Sequence, residues 1–247
     1  LGHFYSAMTG FLGFTMLDGE YKMMGLAPYG TPEYLSFIRR NILITDAPGS
    51  YRLNEALLDY HAALDGRFHP MLQTTFGNPR PNEDAPFTEQ HRRIAGSAQA
   101  AFEEVVLDLA SWAFRQGGKH TNVAIAGGCG LNCSANGRLL REGPFERMYI
   151  PPAPHDAGCA VGATLLVHHD LLGQPRRVEM AHACYGPEYG EKEIGHALRE
   201  QGIDAQPQRC ERRAELVGCV GHERLLRVDE GLQASSHSVE GLCQVTQ

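Results

Sequence analysis

The sequence has no Lys/Arg-rich block, and its 22 basic residues are outnumbered by 29 acidic ones, for a formal charge of −7. Nucleic-acid affinity rests on neutralising phosphates, so this balance argues against a nucleic-acid partner. No apolar run approaches the ~18 residues of a membrane-spanning helix, and no signal peptide opens the chain, so the expectation is a cytoplasmic protein without a membrane partner. The seven cysteines (129, 133, 159, 184, 210, 219 and 243) contain no Cys-x-x-Cys pair, and an odd count of this kind reads as reduced thiols. No two of the twelve histidines are four residues apart, so a His-x-x-x-His metal pair is lacking. There is also no Gly-Lys-Ser/Thr ending and no Gly-x-Gly-x-x-Gly run, which removes the commonest phosphate-binding loops.

What is present is an ordinary globular composition, 43% hydrophobic and 21% charged over 247 residues, enough for one large domain or two modest ones. The chain starts at Leu1, not Met, inside an apolar stretch, and is expected to be a piece of a longer protein. Residues 1–30 are apolar and glycine-spaced and predict two short helices around the Asp18-Gly19 turn. Residues 31–87 read as irregular, and the proline-rich run 78–86 cannot be a helix interior. Next comes a clear amphipathic helix. Ile94, Ala98, Ala101, Phe102, Val105, Leu109 and Trp112 recur at three- and four-residue steps, with Thr88 as N-cap and Gly117-Gly118 at the end.

Beyond it, 122–126 and 147–150 read as strands, while 131–140 and 156–169 read as helices. Strand and helix alternating at these lengths argue for an α/β layer. From about residue 200 no period is sustained, and no element is predicted.

Two places carry candidate chemistry. In "AGGCGLNCSANGRLL" (126–140) Gly127 and Gly128 follow a strand, and Asn132 opens a helix. The glycines permit positive φ and let a ligand approach the backbone, and the helix start offers N–H groups to an anion. A tight strand-to-helix corner explains the same residues. In "PHDAGCAVGATLL" (154–166) Asp156 stands before a helix of small residues. It reads either as an N-cap or as a carboxylate that holds a metal or organises phosphate. His155 beside it, and the pair His168-His169, carry no site, since chain neighbours rarely face one another and basic residues suit helix ends. Cys129 and Cys133 read as buried thiols.

Taken with "GHFYSAMTGFLGF" and "GEYKMMGLAPYG", these blocks resemble, in order and spacing, the NodU/CmcH class of carbamoyltransferases, from residue 1 to about 190. The resemblance implies a fold and a reaction. The fold is the second lobe of an actin-like/sugar-kinase-like (ASKHA) ATPase, incomplete here, over residues 1–200, with residues 201–247 as an atypical tail that suggests a frame change or truncated reading frame. The reaction takes carbamoyl phosphate and ATP to carbamoyl-adenylate and passes the carbamoyl group to a hydroxyl of a small-molecule acceptor.

By the same resemblance Gly127 and Gly128 lie against the adenosine, Asn132 is within reach of it, and Lys22 and Gly30 line the nucleotide. Asp156 is similar to the catalytic carboxylate that ligates a divalent metal, Fe(II) in relatives. The family's loop usually reads Gly-Gly-Val-Ala-Leu-Asn, and Cys129 and Gly130 depart from it. Its His-x-x-x-His pair lies upstream of the first block. The partners implied are the missing first lobe and a C-terminal adenylate-forming domain of the same protein, and the isolated chain is expected to be inactive. An adenine-nucleotide-binding lobe without catalysis, or a degenerate product, fits the residues too.

Overall fold

The computed structural model describes residues 1–58, 68–177 and 189–202. The chain divides into two units, Leu1–Gly173 and Gln174–Gln247. In the first, helix α1 (Gly2–Phe11) has Phe4, Tyr5, Ala7, Met8 and Phe11 all buried, so it is apolar around its circumference and sits inside the unit. It ends in a Schellman turn. Gly13 takes φ +76°, its N–H meets Gly10 O at 2.9 Å, and Phe14 N–H meets Thr9 O at 3.2 Å. After the 15–19 turn, α2 (Glu20–Leu26) runs into a single 3₁₀ turn, Ala27–Tyr29. The two helices expected around Asp18-Gly19 are therefore present.

The expectation of irregular structure over 31–87 is corrected. The described part of that span holds α3 (Leu35–Asn41), an antiparallel ladder of β1 (Leu43–Ile44) with β2 (Arg52–Leu53), and α4 (Pro70–Phe76). Each helix is seven residues, too short to build a visible period, and tertiary packing supplies its stability. Phe76 joins them. Its ring meets Phe11, Tyr34 and Phe37 edge-on, with centroids 5.6, 5.1 and 5.4 Å away.

Helix α5 (Glu89–Gln116) is the spine, 28 residues and about 42 Å long. Its predicted stripe is buried from Ile94 through Val105; Leu109 is half-buried, and Trp112 is exposed. Gly96, Ser97 and Ala98 keep the early face thin, and the 27–30 turn packs there. Thr88 caps the helix as predicted, through a reciprocal pair: Thr88 Oγ1 accepts His91 N–H at 3.3 Å, and His91 Nδ1 accepts Thr88 N–H at 3.1 Å.

That cap requires an unprotonated Nδ1. Burial, then the nearby Arg80 charge, holds the His91 pKa below its ordinary 6.5. The unfolded chain thus takes up the proton first as pH falls. The cap's contribution of about 1 kcal/mol is present above the ordinary imidazole pKa and is lost as pH falls through the depressed folded value. Urea midpoints at neutral and mildly acidic pH should show this slope in the wild type and a flatter one in His91→Gln. An identical slope in both would remove His91 as its source.

Past α5, β3 (Asn122–Ala124) and β4 (Arg147–Tyr149) pair in parallel, Val123 opposite Met148, with α6 (Cys133–Glu142) as the crossover. The strand–helix–strand reading holds, with both strands shorter than predicted and the helix of equal length shifted by two residues. The expected helix 156–169 is a composite: a 3₁₀ turn Asp156–Gly158, then α7 (Cys159–Leu166), then a π turn Val167–Leu171. In the second unit the described residues form α8 (Glu191–Glu200), which the sequence reading did not predict. The tail beyond 202, with Cys210, Cys219 and Cys243, and also Cys184, lie outside the described residues. Among the described residues no helix is long and apolar enough to cross a membrane.

Candidate functional site

The parallel pair sets the site. Ligands of α/β sheets gather outside the carboxyl ends of the strands, and here both candidate loops begin at such ends. Ile125 N–H still bonds Tyr149 O at 3.0 Å, extending the ladder by one link. Gly127 then turns at φ +101°, a conformation that favours glycine, and its N–H meets Pro154 O at 2.6 Å. The loop after β3 and the loop after β4 are thereby tied together. A methyl group built on Gly127 or Gly128 would meet nothing within 4 Å, so the space before them is open to a flat ligand.

Residues Gly128–Leu131 form a 3₁₀ turn, and α6 starts at Cys133, two residues later than the predicted helix. Asn132 is its N-cap. Its Oδ1 accepts Ala135 N–H at 2.9 Å, and the side chain points inward, 8% exposed. There it meets a cluster that the sequence reading missed. Gln99 of α5 faces Asn132 with an amide-to-amide pair at 2.9 and 3.1 Å and accepts the Tyr5 hydroxyl at 2.6 Å. Burial pushes the Tyr5 pKa upward, so this hydroxyl keeps its proton. Glu103 accepts Gln99 Nε2 at 2.7 Å and pairs with Arg138 of α6 at 3.2 Å. A signal was available: Gln99 and Glu103 stand four apart on the helix and border its apolar stripe.

Asp156 is exposed, one residue from the 154–155 corner that Gly127 bonds. The N-cap reading of Asp156 is corrected: His155 is the cap, its Nδ1 accepting Ala157 N–H at 3.3 Å, and Asp156 is the first residue of the turn. Gly158 is required beside it, because a methyl group there would fall 2.0 Å from Ala153 O. Among the described residues no three His, Cys, Asp or Glu side chains come together as a metal site. Asp156 and its described neighbours therefore do not by themselves fit the metal that the resemblance implies.

Gly127, Gly128 and Asp156 are thus brought to one edge, with Asn132 beneath them. Lys22 and Gly30 are placed by other contacts. The Lys22 ammonium is 2.5 Å from Glu83 Oε2, and Glu83 also accepts Thr15 N–H at 3.1 Å. The Lys22–Glu83 hydrogen bond raises the Lys22 pKa and lowers that of Glu83. Both side chains are about a third exposed, so the pair contributes at most about 1 kcal/mol. Gly30 lies against α5, at Arg92. The reading of Cys129 and Cys133 as buried thiols is corrected: Cys129 is half-buried, with burial pushing its thiol pKa up, and Cys133 is exposed, its Sγ 3.7 Å from Met24 Sδ of α2. A cavity of about 330 Å³ between the α3–β1 corner and α5 is lined by Arg39, Asp46, Glu104 and Asp108, and by none of the six predicted site residues.

Comparison with known proteins gives the family. Residues 1–165 match the family described as the carbamoyltransferase N-terminus. An uncharacterized protein of Synechocystis sp. is 42% identical over 209 residues, covering 83% of this chain and 34% of that protein. Nodulation protein NolO of Bradyrhizobium diazoefficiens is 37% identical over 194 residues, 78% of this chain and 33% of that protein. Nodulation protein NolNO of Sinorhizobium fredii is 33% identical over 215 residues, 85% of this chain and 29% of that protein. The chain spans about a third of the length of these curated relatives. With two thirds of its residues matched to the family and a relative of this identity aligned along most of its length, the chain belongs to the carbamoyltransferase family, of the NodU/CmcH type.

Proposed function

We propose that this chain is the nucleotide-facing part of an ATP-dependent O-carbamoyltransferase. The whole protein would hydrolyse carbamoyl phosphate to carbamate and phosphate, join the carbamate to the α-phosphate of ATP as carbamoyl-adenylate with loss of pyrophosphate, and let a hydroxyl of a small-molecule acceptor attack the carbamoyl carbonyl, giving up its proton as AMP leaves. One observation carries the reading: the open glycine loop and the Asp156 turn meet at the carboxyl ends of parallel strands, joined by Gly127 N–H to Pro154 O at 2.6 Å. Gly127 and Gly128 leave room for the adenosine, and the turns that follow both strands aim backbone toward its phosphate. Positioning is most of what such a site must do, since AMP is a good leaving group.

The same proposal takes the unit as part of the second lobe of an ASKHA fold. Asp156 is proposed as one ligand of a divalent metal, ferrous iron, whose other ligands come from outside the described residues. Exposed apolar side chains along α7 and the π turn, among them Leu165, Leu166 and Leu171, fit a surface that the rest of the protein covers. A second reading is a nucleotide-binding lobe without chemistry, which uses the open glycine loop and asks for no metal at Asp156.

Calorimetry of ADP binding to the whole protein, with and without ferrous iron, tests both. The transferase reading expects iron to tighten ADP by about tenfold or more, roughly 1.4 kcal/mol, and Asp156→Ala to erase that gain. ADP binding that ignores iron would select the second reading, and no ADP binding at all would reject both for this chain.

A further inference from the structure

We propose that Gln99 is the positioning residue of the glycine loop: a buried amide on α5 that fixes Asn132, and through it the start of α6 and residues 127–131, in the geometry that receives a nucleotide. The inference rests on the nucleotide reading above.

Gln99 is 6% exposed, yet both ends of its amide are occupied. Oε1 accepts the Tyr5 hydroxyl at 2.6 Å and Asn132 Nδ2 at 3.1 Å. Nε2 donates to Asn132 Oδ1 at 2.9 Å and to Glu103 Oε1 at 2.7 Å. The four bonds involve three side chains, Tyr5 on α1, Glu103 on α5 and Asn132 at the head of α6. Asn132 Oδ1 has two lone pairs, and Gln99 and Ala135 take both. Its acceptor capacity is therefore spent on holding the loop.

The hold propagates. Asn132 N–H bonds Cys129 O at 3.1 Å, Gly130 N–H bonds Gly127 O at 2.9 Å, and Asn136 Nδ2 reaches Gly130 O at 2.7 Å. A loop with glycine at 127, 128 and 130 has much freedom to lose on binding, and a restraint from outside it removes that cost beforehand. A half-buried ion pair, Glu103 with Arg138, adds a second tie between α5 and α6. A buried polar network of this kind specifies one arrangement where an apolar contact would allow several.

The test is amide hydrogen exchange on the full chain, read over 127–136, together with ADP titration. In Gln99→Leu we expect protection over 127–136 to fall by about five- to tenfold, the size of a lost helix cap, while the Glu89–Arg93 turn of α5 keeps its protection. ADP affinity should fall by a similar factor. Gln99→Glu supplies a signature that lost bulk stability would not produce. Its neutral acid can donate one of the amide's two hydrogen bonds, and its carboxylate can donate neither. The groups facing it are the Tyr5 hydroxyl, Glu103 on its own helix, and Asn132 with Arg138 beyond, so the carboxylate neighbour raises its pKa.

Loop protection in Gln99→Glu is therefore expected to recover as pH falls from about 8 to about 5, with no such change in the wild type. Unchanged protection over 127–136 in Gln99→Leu, or a pH-independent loop in Gln99→Glu, overturns the proposal, and the second arm stands even if the leucine variant fails to fold. A loosened loop with unchanged ADP affinity overturns it as well. A loosened loop in a chain whose wild type binds no ADP removes the nucleotide reading and leaves Gln99 as the residue that holds the loop.

Discussion

Replacing Gly30 with alanine is expected to lower the melting temperature by about 6–12 °C or more, the equivalent of about 3 kcal/mol or more. A methyl group at Gly30 would stand 1.8 Å from Arg92 O and 2.1 Å from Arg92 C. The obstruction is helix backbone, so no side-chain rotation relieves it, and the 27–30 turn must move off α5. The contact is reciprocal, since a methyl group at Gly96 would stand 2.5 Å from Gly30 O. Two backbones cross here with nothing between them. Gly25, five residues earlier on α2, gives the control. A methyl group there meets nothing within 4 Å, so Gly25→Ala should be neutral or stabilise by up to about 1 kcal/mol. Thermal unfolding followed by circular dichroism separates the two. A Gly30→Ala melting point within about 2 °C of the wild type would mean that the turn repacks freely. The expectation that Gly30 lines a nucleotide cannot be tested by this variant, because loss of packing would come first.

Replacing Arg80 with alanine is expected to cost about 3–5 kcal/mol. Arg80 sits in the proline-rich connection, 4% exposed. Its guanidinium donates to Ala85 O at 2.8 Å, to Leu12 O at 3.0 Å and to Glu83 O. It also lies 3.9 Å from the Phe87 ring centroid and 5.2 Å from that of Phe14. One side chain thus folds residues 80–87 onto the end of α1, and alanine would strand the carbonyls it serves. Lysine offers one compact donor head in place of a planar fork, so Arg80→Lys should remain within about 1 kcal/mol of the alanine variant. Urea unfolding checks both, and full stability in Arg80→Lys would show that charge alone suffices. The connection also presents Glu83 to Lys22, so both variants should loosen that pair as well.

Arg80 also shows why part of this fold could not be read in advance. Within 78–86 it is one of three charged residues, and nothing local says that one of its partners lies 68 residues back at Leu12. Helices α3 and α4 were hidden for a related reason: seven residues make two turns, and their order comes from rings gathered around Phe76. The spine α5 was legible, because its apolar side chains repeat through seven positions and its threonine cap and terminal glycines are local chemistry. The same holds for β3, β4 and the glycine corner between them, where strand residues, paired glycines and a helix cap follow each other directly. At the site, Gly127, Gly128 and Asp156 were found at strand ends for that reason. Gln99 and Glu103 were not, since a polar residue on a helix looks like a solvated one until its neighbours are known.

The bond from the Tyr5 hydroxyl to Gln99 spans 94 residues, and α1 lies buried among elements that all follow it in the chain. On the ribosome, synthesis at roughly 5–20 residues per second leaves that apolar helix waiting about 5–20 s for its spine to emerge. During the wait it has α2, which Ser6 and Thr9 meet at Glu20 and Met23, and then Phe76 of α4, but its Tyr5 face stays uncovered, and exposed apolar surface of that kind is what nascent-chain chaperones recognise. Complete burial of α1 therefore has to wait for α5, however early its contacts with α2 form.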